Sequence, residues 1–206
     1  MMPAAEIGPQ PAGTFWMLNL QGPLPALLKP GLAAVFARLS SEAAFPLSHA
    51  MGLDNPKPVL ERFAAARRCY GAWVDGMVAA YGWVTFDEEE IGELGLRIRM
   101  ASGEAYIWDC ATLPAYRGQR LYPALLGHIC GELRAEGFRL ALIGADSDNL
   151  ASQKGMMLAG FQPVADMLLV PDQAKRLLCL SGRPGVSEQL VQHIRRSLVN
   201  HESRLL

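Results

Sequence analysis

Leu-Pro-Ala-Tyr-Arg-Gly-Gln-Arg-Leu-Tyr-Pro-Ala-Leu-Leu, residues 113–126, decides how the chain is read. An alternating, β-rich segment runs into it from Tyr106, and a helix with an apolar stripe runs out of it. Pro123 suits the first turn of that helix, where a missing N–H loses no hydrogen bond. The first amides of a helix have no intrahelical partner and carry the positive end of its dipole. A strand, a tight turn at Arg117-Gly118 and an open helix start together make a place for a phosphate or pyrophosphate. They equally describe an ordinary strand-to-helix connection.

Downstream, Leu121, Leu125, Leu126, Ile129, Cys130 and Leu133 repeat at helical spacing, and Gly137 ends the helix. Residues 139–144 read as a buried strand, so strand, helix and strand imply a parallel pair with a right-handed crossover. Asp148 or Asn149 caps a further helix that stops at Gly160. Residues 161–170 and 176–180 form a hairpin around Pro171-Asp172. Ser187 caps a last amphipathic helix with Leu190, Val191, Ile194 and Leu198 inward.

Upstream, residues 69–74 and 77–86 are two β-rich runs joined by Asp75-Gly76, a pair suited to a type I′ turn. Tyr70, Trp73, Tyr81 and Trp83 are packing residues for such a sheet, and one ring could line a pocket. The acidic run 87–90 is expected to break the sheet as a solvated loop. Residues 93–100 alternate weakly, and Ser102-Gly103 turns the chain. A first strand over 34–39 precedes two helices, one capped by Ser40 or Ser41 and one over 59–67. Residues 1–30 are rich in Pro, Gly and Ala and are expected to form an irregular arm pinned by Phe15 and Trp16. The expected division is this arm, a domain over 31–183, and a C-terminal helix over 184–206 that covers the domain or builds a homodimer.

The 206 residues carry a net charge of −1, are 50% hydrophobic and 19% charged, and show no basic tract. That gives no indication of a nucleic-acid or membrane-surface partner. Cys69, Cys110, Cys130 and Cys179 lie far apart among apolar neighbours. This is the pattern of reduced, buried thiols, without metal-ligand spacing. No basic, apolar leader is legible, and no apolar run approaches the ~20 residues that cross a bilayer. The expectation is a soluble, cytoplasmic protein without a metal.

Two motifs carry a resemblance. Thr112-x-Pro114-x-Tyr116-Arg117-Gly118 ends a strand, and Asn149-x-x-Ser152 followed by Gly160-Phe161 spans a helix. In this order of elements the chain resembles the GNAT superfamily of N-acetyltransferases over roughly residues 34–180. The resemblance implies an α/β (α+β) fold. Its central sheet is mixed and mostly antiparallel, with a splayed parallel strand pair and helices on both faces. It also implies acetyl-CoA, or another acyl-CoA, as co-substrate and a primary amine, small or on a protein, as acceptor. The pantetheine arm would pair with Cys110, Ala111 and Thr112. The pyrophosphate would meet Arg117, Gly118, Gln119, Arg120, Leu121 and Tyr122, with Asn149 and Ser152 at the second helix.

The sequence departs from the family pattern at three positions. The loop usually reads Arg/Gln-x-x-Gly-x-Gly/Ala, and here Arg120 and Tyr122 fill both small positions. The family often has a tyrosine as proton donor seven residues after the asparagine, and here stands Met156, which cannot donate. Ser152 and Tyr116 are the candidates to replace it. Asp109 is the candidate general base, or else a structural carboxylate that holds a loop amide or an arginine. Two functions remain open: amine acylation by direct attack on the thioester, or a non-catalytic acyl-CoA sensor or interaction module.

Overall fold

The computed structural model describes residues 8–91, 95–171 and 176–200. Within the stretch 1–30 expected to be irregular, one segment departs from that expectation, while residues 20–30 have no regular structure. Gln10–Asn19 is strand β1, hydrogen-bonded on both sides to strands from the far end of the chain. Its continuous run of apolar residues has a physical cause: the strand is buried on both faces. Phe15 enters the core on one side of the sheet, Trp16 and Leu18 the core on the other.

The chain continues through β2 (Val35–Leu39) and a 3-10 turn, Ser41–Ala43, capped by Ser40. Helices α1 (Ala44–Ala50) and α2 (Lys57–Ala64) follow. Next come β3 (Arg68–Val74) and β4 (Met77–Thr85), joined by Asp75 and Gly76 at φ of 49° and 78°. Both angles are positive, as a type I′ hairpin requires.

The acidic run is not a loop. Glu88–Ile91 forms β5 and pairs with β6 (Leu96–Arg99). Two local charge pairings make this tolerable. Glu88 takes hydrogen bonds across the ladder from Arg97 and Arg99 at 3.0 and 2.7 Å. Glu89 is buried but receives the Arg67 guanidinium, one bond being 3.1 Å.

From there β7 (Glu104–Thr112), α3 (Leu121–Ala135), β8 (Leu140–Asp146) and α4 (Leu150–Leu158) form the crossover unit. Strands β9 (Gln162–Pro171) and β10 (Arg176–Gly182) make the late hairpin, whose turn at Asp172 lies outside the described residues. Helix α5 (Glu188–Ser197) and β11 (Leu198–Asn200) close the chain. The main sheet runs β10-β9-β1-β8-β7-β4-β3-β2, and β11-β6-β5 form a small second sheet. Within the main sheet β7 and β8 are the parallel pair; the other pairings are antiparallel.

Helix α3 lays its apolar stripe on one face, joined by Met156 of α4. Leu47 of α1 and Val59 of α2 cover Cys69, Tyr81 and Trp83 on the other face. Ile194 of α5 packs there with Ile98, Tyr106 and Leu142, so the last helix buries its apolar face on its own chain. Among the described residues no helix is long and apolar enough to cross a membrane.

Candidate active site

Among the described residues the main sheet has one parallel pairing, and it is short. It runs from Glu104 opposite Leu140 to Ile107 opposite Ile143 and then stops. Beyond that point β7 stays paired to β4 through Ala111 and Thr112, while β8 stays paired to β1 through Gly144, Ala145 and Asp146. Each strand keeps its outer neighbour and loses the inner one, so a crevice opens between them. Crevices at the carboxyl ends of parallel strands are where α/β sheets take ligands.

A bulge drives the parting. Tyr81 pairs with Ala111 and Trp83 with Trp108, so Gly82 alone faces Asp109 and Cys110. Two residues opposite one bend the longer strand. Asp109 adopts φ 42°, a left-handed backbone that costs a non-glycine residue about 1 kcal/mol. Gly82 is required here, because a β-carbon would meet Cys110 Sγ at 2.8 Å.

The Asp109 carboxylate turns towards α2 and pairs with the Arg62 guanidinium. That guanidinium also lies over the rings of Trp83 and Trp108, 5.1 and 4.7 Å from their centroids. Of the two roles open to Asp109, this geometry matches the carboxylate that holds an arginine. Arg62 escapes notice in the sequence: it lies 47 residues away, in the last turn of a helix that carries no motif.

The loop after β7 leaves a run of backbone donors open. Pro114–Tyr116 makes one 3-10 turn, with Tyr116 half-buried against the α3 side of the core. Gly118 has φ 77° and Arg120 has φ 59°. The position where a glycine is usual is therefore left-handed, and Arg120 accepts the strain. None of the amides from Gly118 to Tyr122 donates to a described backbone acceptor, and Arg120 supplies no side-chain cap. These orphan donors form an open cradle at the positive end of α3, the arrangement that a phosphate requires. The loop is braced from behind by Gly31, whose amide donates to the Gln119 carbonyl at 2.9 Å. Arg117 is tethered to the strand end, with Nε donating to the Thr112 carbonyl at 3.3 Å.

Tyr122 does not block the crevice. Its ring lies across Gly155 of α4, where a β-carbon would sit 2.3 Å from Cδ1. Its hydroxyl is 3.1 Å from Ser152 Oγ. Burial, reinforced by the neighbouring Cys110 thiol, pushes the Tyr122 phenol well above its ordinary value, so it holds its proton at neutral pH. Asn149 caps α4, its side-chain oxygen accepting from the Ser152 amide at 3.1 Å. Met156 is buried in the core and offers no donor.

The structure thus gathers Cys110, Ala111, Thr112, the loop from Arg117 to Tyr122, Asn149 and Ser152 around one crevice. Burial raises the Cys110 thiol, with the Asp109 charge adding to it. The Thr112 hydroxyl is buried at this strand end without a partner among the described residues.

Among known proteins, the acetyltransferase (GNAT) family profile matches residues 37–161, more than half of the chain. A search of curated proteins finds no match. Solved structures of the same fold include an acetyltransferase from the GNAT family of Colwellia psychrerythraea. It has a TM-score of 0.56 at 15% identity, over 79% of this chain and 56% of that one. A GNAT-family acetyltransferase from Novosphingobium aromaticivorans gives 0.50 at 16% identity, over 79% and 65%. The ribosomal-protein-S18-alanine N-acetyltransferase of Escherichia coli gives 0.50 at 18%, over 63% and 78%. This chain spans less than two thirds of the length of the first two. The family match, the splayed parallel pair and the open cradle agree, and the chain belongs to the GNAT family of acetyltransferases.

Proposed function

We propose that this protein is an N-acyltransferase that moves an acetyl or other short acyl group from coenzyme A to a primary amine by direct attack. The observation that carries the reading is the parting of β7 and β8 after Ile107 and Ile143, beside an unpartnered run of loop amides. The cradle suits a pyrophosphate, and the free inner edge of the bulged strand around Cys110 to Thr112 suits an extended amide chain. Arg120 and Arg117 add guanidinium donors at the cradle's rim. Acyl-CoA would supply the activated carbonyl. This chain's own work is to hold it, exclude water and manage protons.

Asp109, committed to Arg62, serves in this reading to fix the bulge, and the acceptor amine loses its proton to water. The acceptor approaches from the α2 side, near Asp109 and the hairpin of Trp83, because α3 and α4 close the opposite face. We read the protein as cytoplasmic, in keeping with its four unpaired cysteines. Self-association into a homodimer is checked by light scattering.

The alternative, an acyl-CoA sensor without turnover, draws on Met156, buried where a phenol is usual in the family. Incubation with acetyl-CoA and a broad panel of primary amines, read as released thiol, separates the two. Amine-dependent release supports the transferase. Saturable binding with no release from any amine supports the sensor.

A further inference from the structure

Helix α3 begins where β7 ends and α4 begins where β8 ends, so their N-terminal turns stand on either side of the crevice mouth. One polar contact ties the two turns together, from the Tyr122 hydroxyl to Ser152 Oγ at 3.1 Å. Three other polar side chains nearby are committed. Asp109 holds Arg62, the Asn149 oxygen caps α4, and the Cys110 thiol points to the Trp108 carbonyl at 3.6 Å. Expulsion of a thiolate from a thioester calls for an acidic proton within the crevice.

We propose that Tyr122 is the catalytic acid of this site, with Ser152 as the residue that positions and reloads it. This rests on the acyltransferase reading above. As the amine nitrogen forms its bond to the carbonyl carbon, the carbon–sulfur bond breaks and its electron pair goes to sulfur. The Tyr122 hydroxyl gives its proton to that sulfur. A solvent proton then reloads the phenolate through Ser152 in one concerted relay, the half-exposed Ser152 hydroxyl accepting a proton from water as it passes its own to Tyr122. The proton shed by the amine goes to solvent, so the charges balance. The phenol is placed for this between the starts of α3 and α4, with its hydroxyl held 3.1 Å from Ser152 Oγ. Gly155 permits the arrangement by leaving room for the ring.

Tyr122→Phe keeps the ring over Gly155 and removes only the hydroxyl. Calorimetry should show acetyl-CoA affinity within about twofold of wild type, while turnover falls about a hundredfold or more, the range for a lost general acid. Ser152→Ala should lose about tenfold, having removed the relay and not the acid. A second readout needs no turnover: free CoA against desulfo-CoA. Wild type should prefer the thiol by about tenfold, as for a hydrogen bond to a charged group, and Tyr122→Phe should lose the preference. Turnover of Tyr122→Phe within threefold of wild type, or equal binding of CoA and desulfo-CoA by wild type, would overturn the assignment and leave the acyltransferase reading standing. If wild type binds neither, that reading falls with it.

Discussion

The ring of Tyr122 occupies the space that a β-carbon on residue 155 would need, with Cδ1 only 2.3 Å from that point. A bulky residue at the start of α3 is thereby matched by a glycine in the middle of α4. The small side chain that the loop lacks reappears on the facing helix. Gly155→Ala would gain up to about 1 kcal/mol of helix propensity but must displace the ring. The expected net is a loss of about 1–3 kcal/mol from overpacking. Repeating the substitution in a Tyr122→Ala background should remove most of that loss, a coupling of about 1 kcal/mol or more in denaturant melts.

Arg120 sits at φ 59° and, among the described residues, makes no ion pair. Arg120→Gly should therefore stabilise the free protein by about 1 kcal/mol. The same change should weaken acetyl-CoA and flatten the salt dependence of its binding, since a guanidinium at the cradle is lost. Unchanged binding at every salt concentration would show that the side chain stays clear of the phosphates.

Asp109 and Arg62 form a pair whose side chains are about a third exposed. A double-mutant cycle with Asp109→Asn and Arg62→Met should give a coupling of about 0.5–1 kcal/mol, given solvent screening. Turnover of Asp109→Asn should stay within about threefold of wild type. A fall of about a hundredfold or more with unchanged stability would identify Asp109 as the general base.

Where signals were local, the sequence sufficed. Asp75-Gly76 specifies its turn, Gly137 ends α3, and Asn149 caps α4, each through a few neighbouring atoms. Strand β1 escaped because Pro11 and Gly13 disguise its start, and because its partners lie more than 120 residues further on. The strand at Glu88 depends on arginines at 97 and 99 and its buried neighbour on Arg67, none of them adjacent. In the crevice, the loop was legible from its motif. The Arg62–Asp109 pair and the Tyr122–Gly155 fit were not, because each joins elements that only the folded sheet brings together.

His128 on α3 packs against the rings of Phe36 and Tyr70. Burial pushes its imidazole below the ordinary value of 6.5, and Glu132 one turn on opposes this. Above about pH 7 the side chain is neutral in both folded and unfolded chains, and it adds no pH dependence. As pH falls through 6.5 the unfolded chain takes up a proton that the folded one resists, so stability is lost. His128→Phe should remove this loss. Melts should show the variant gaining on wild type as pH drops from about 7 to 5.5, with a flat difference above.

Isothermal titration of the wild-type protein with acetyl-CoA asks whether the crevice and its cradle bind an acyl-CoA. Saturable one-site binding is expected, weakening with added salt and on Arg120→Gly. No heat of binding at millimolar acetyl-CoA would contradict it.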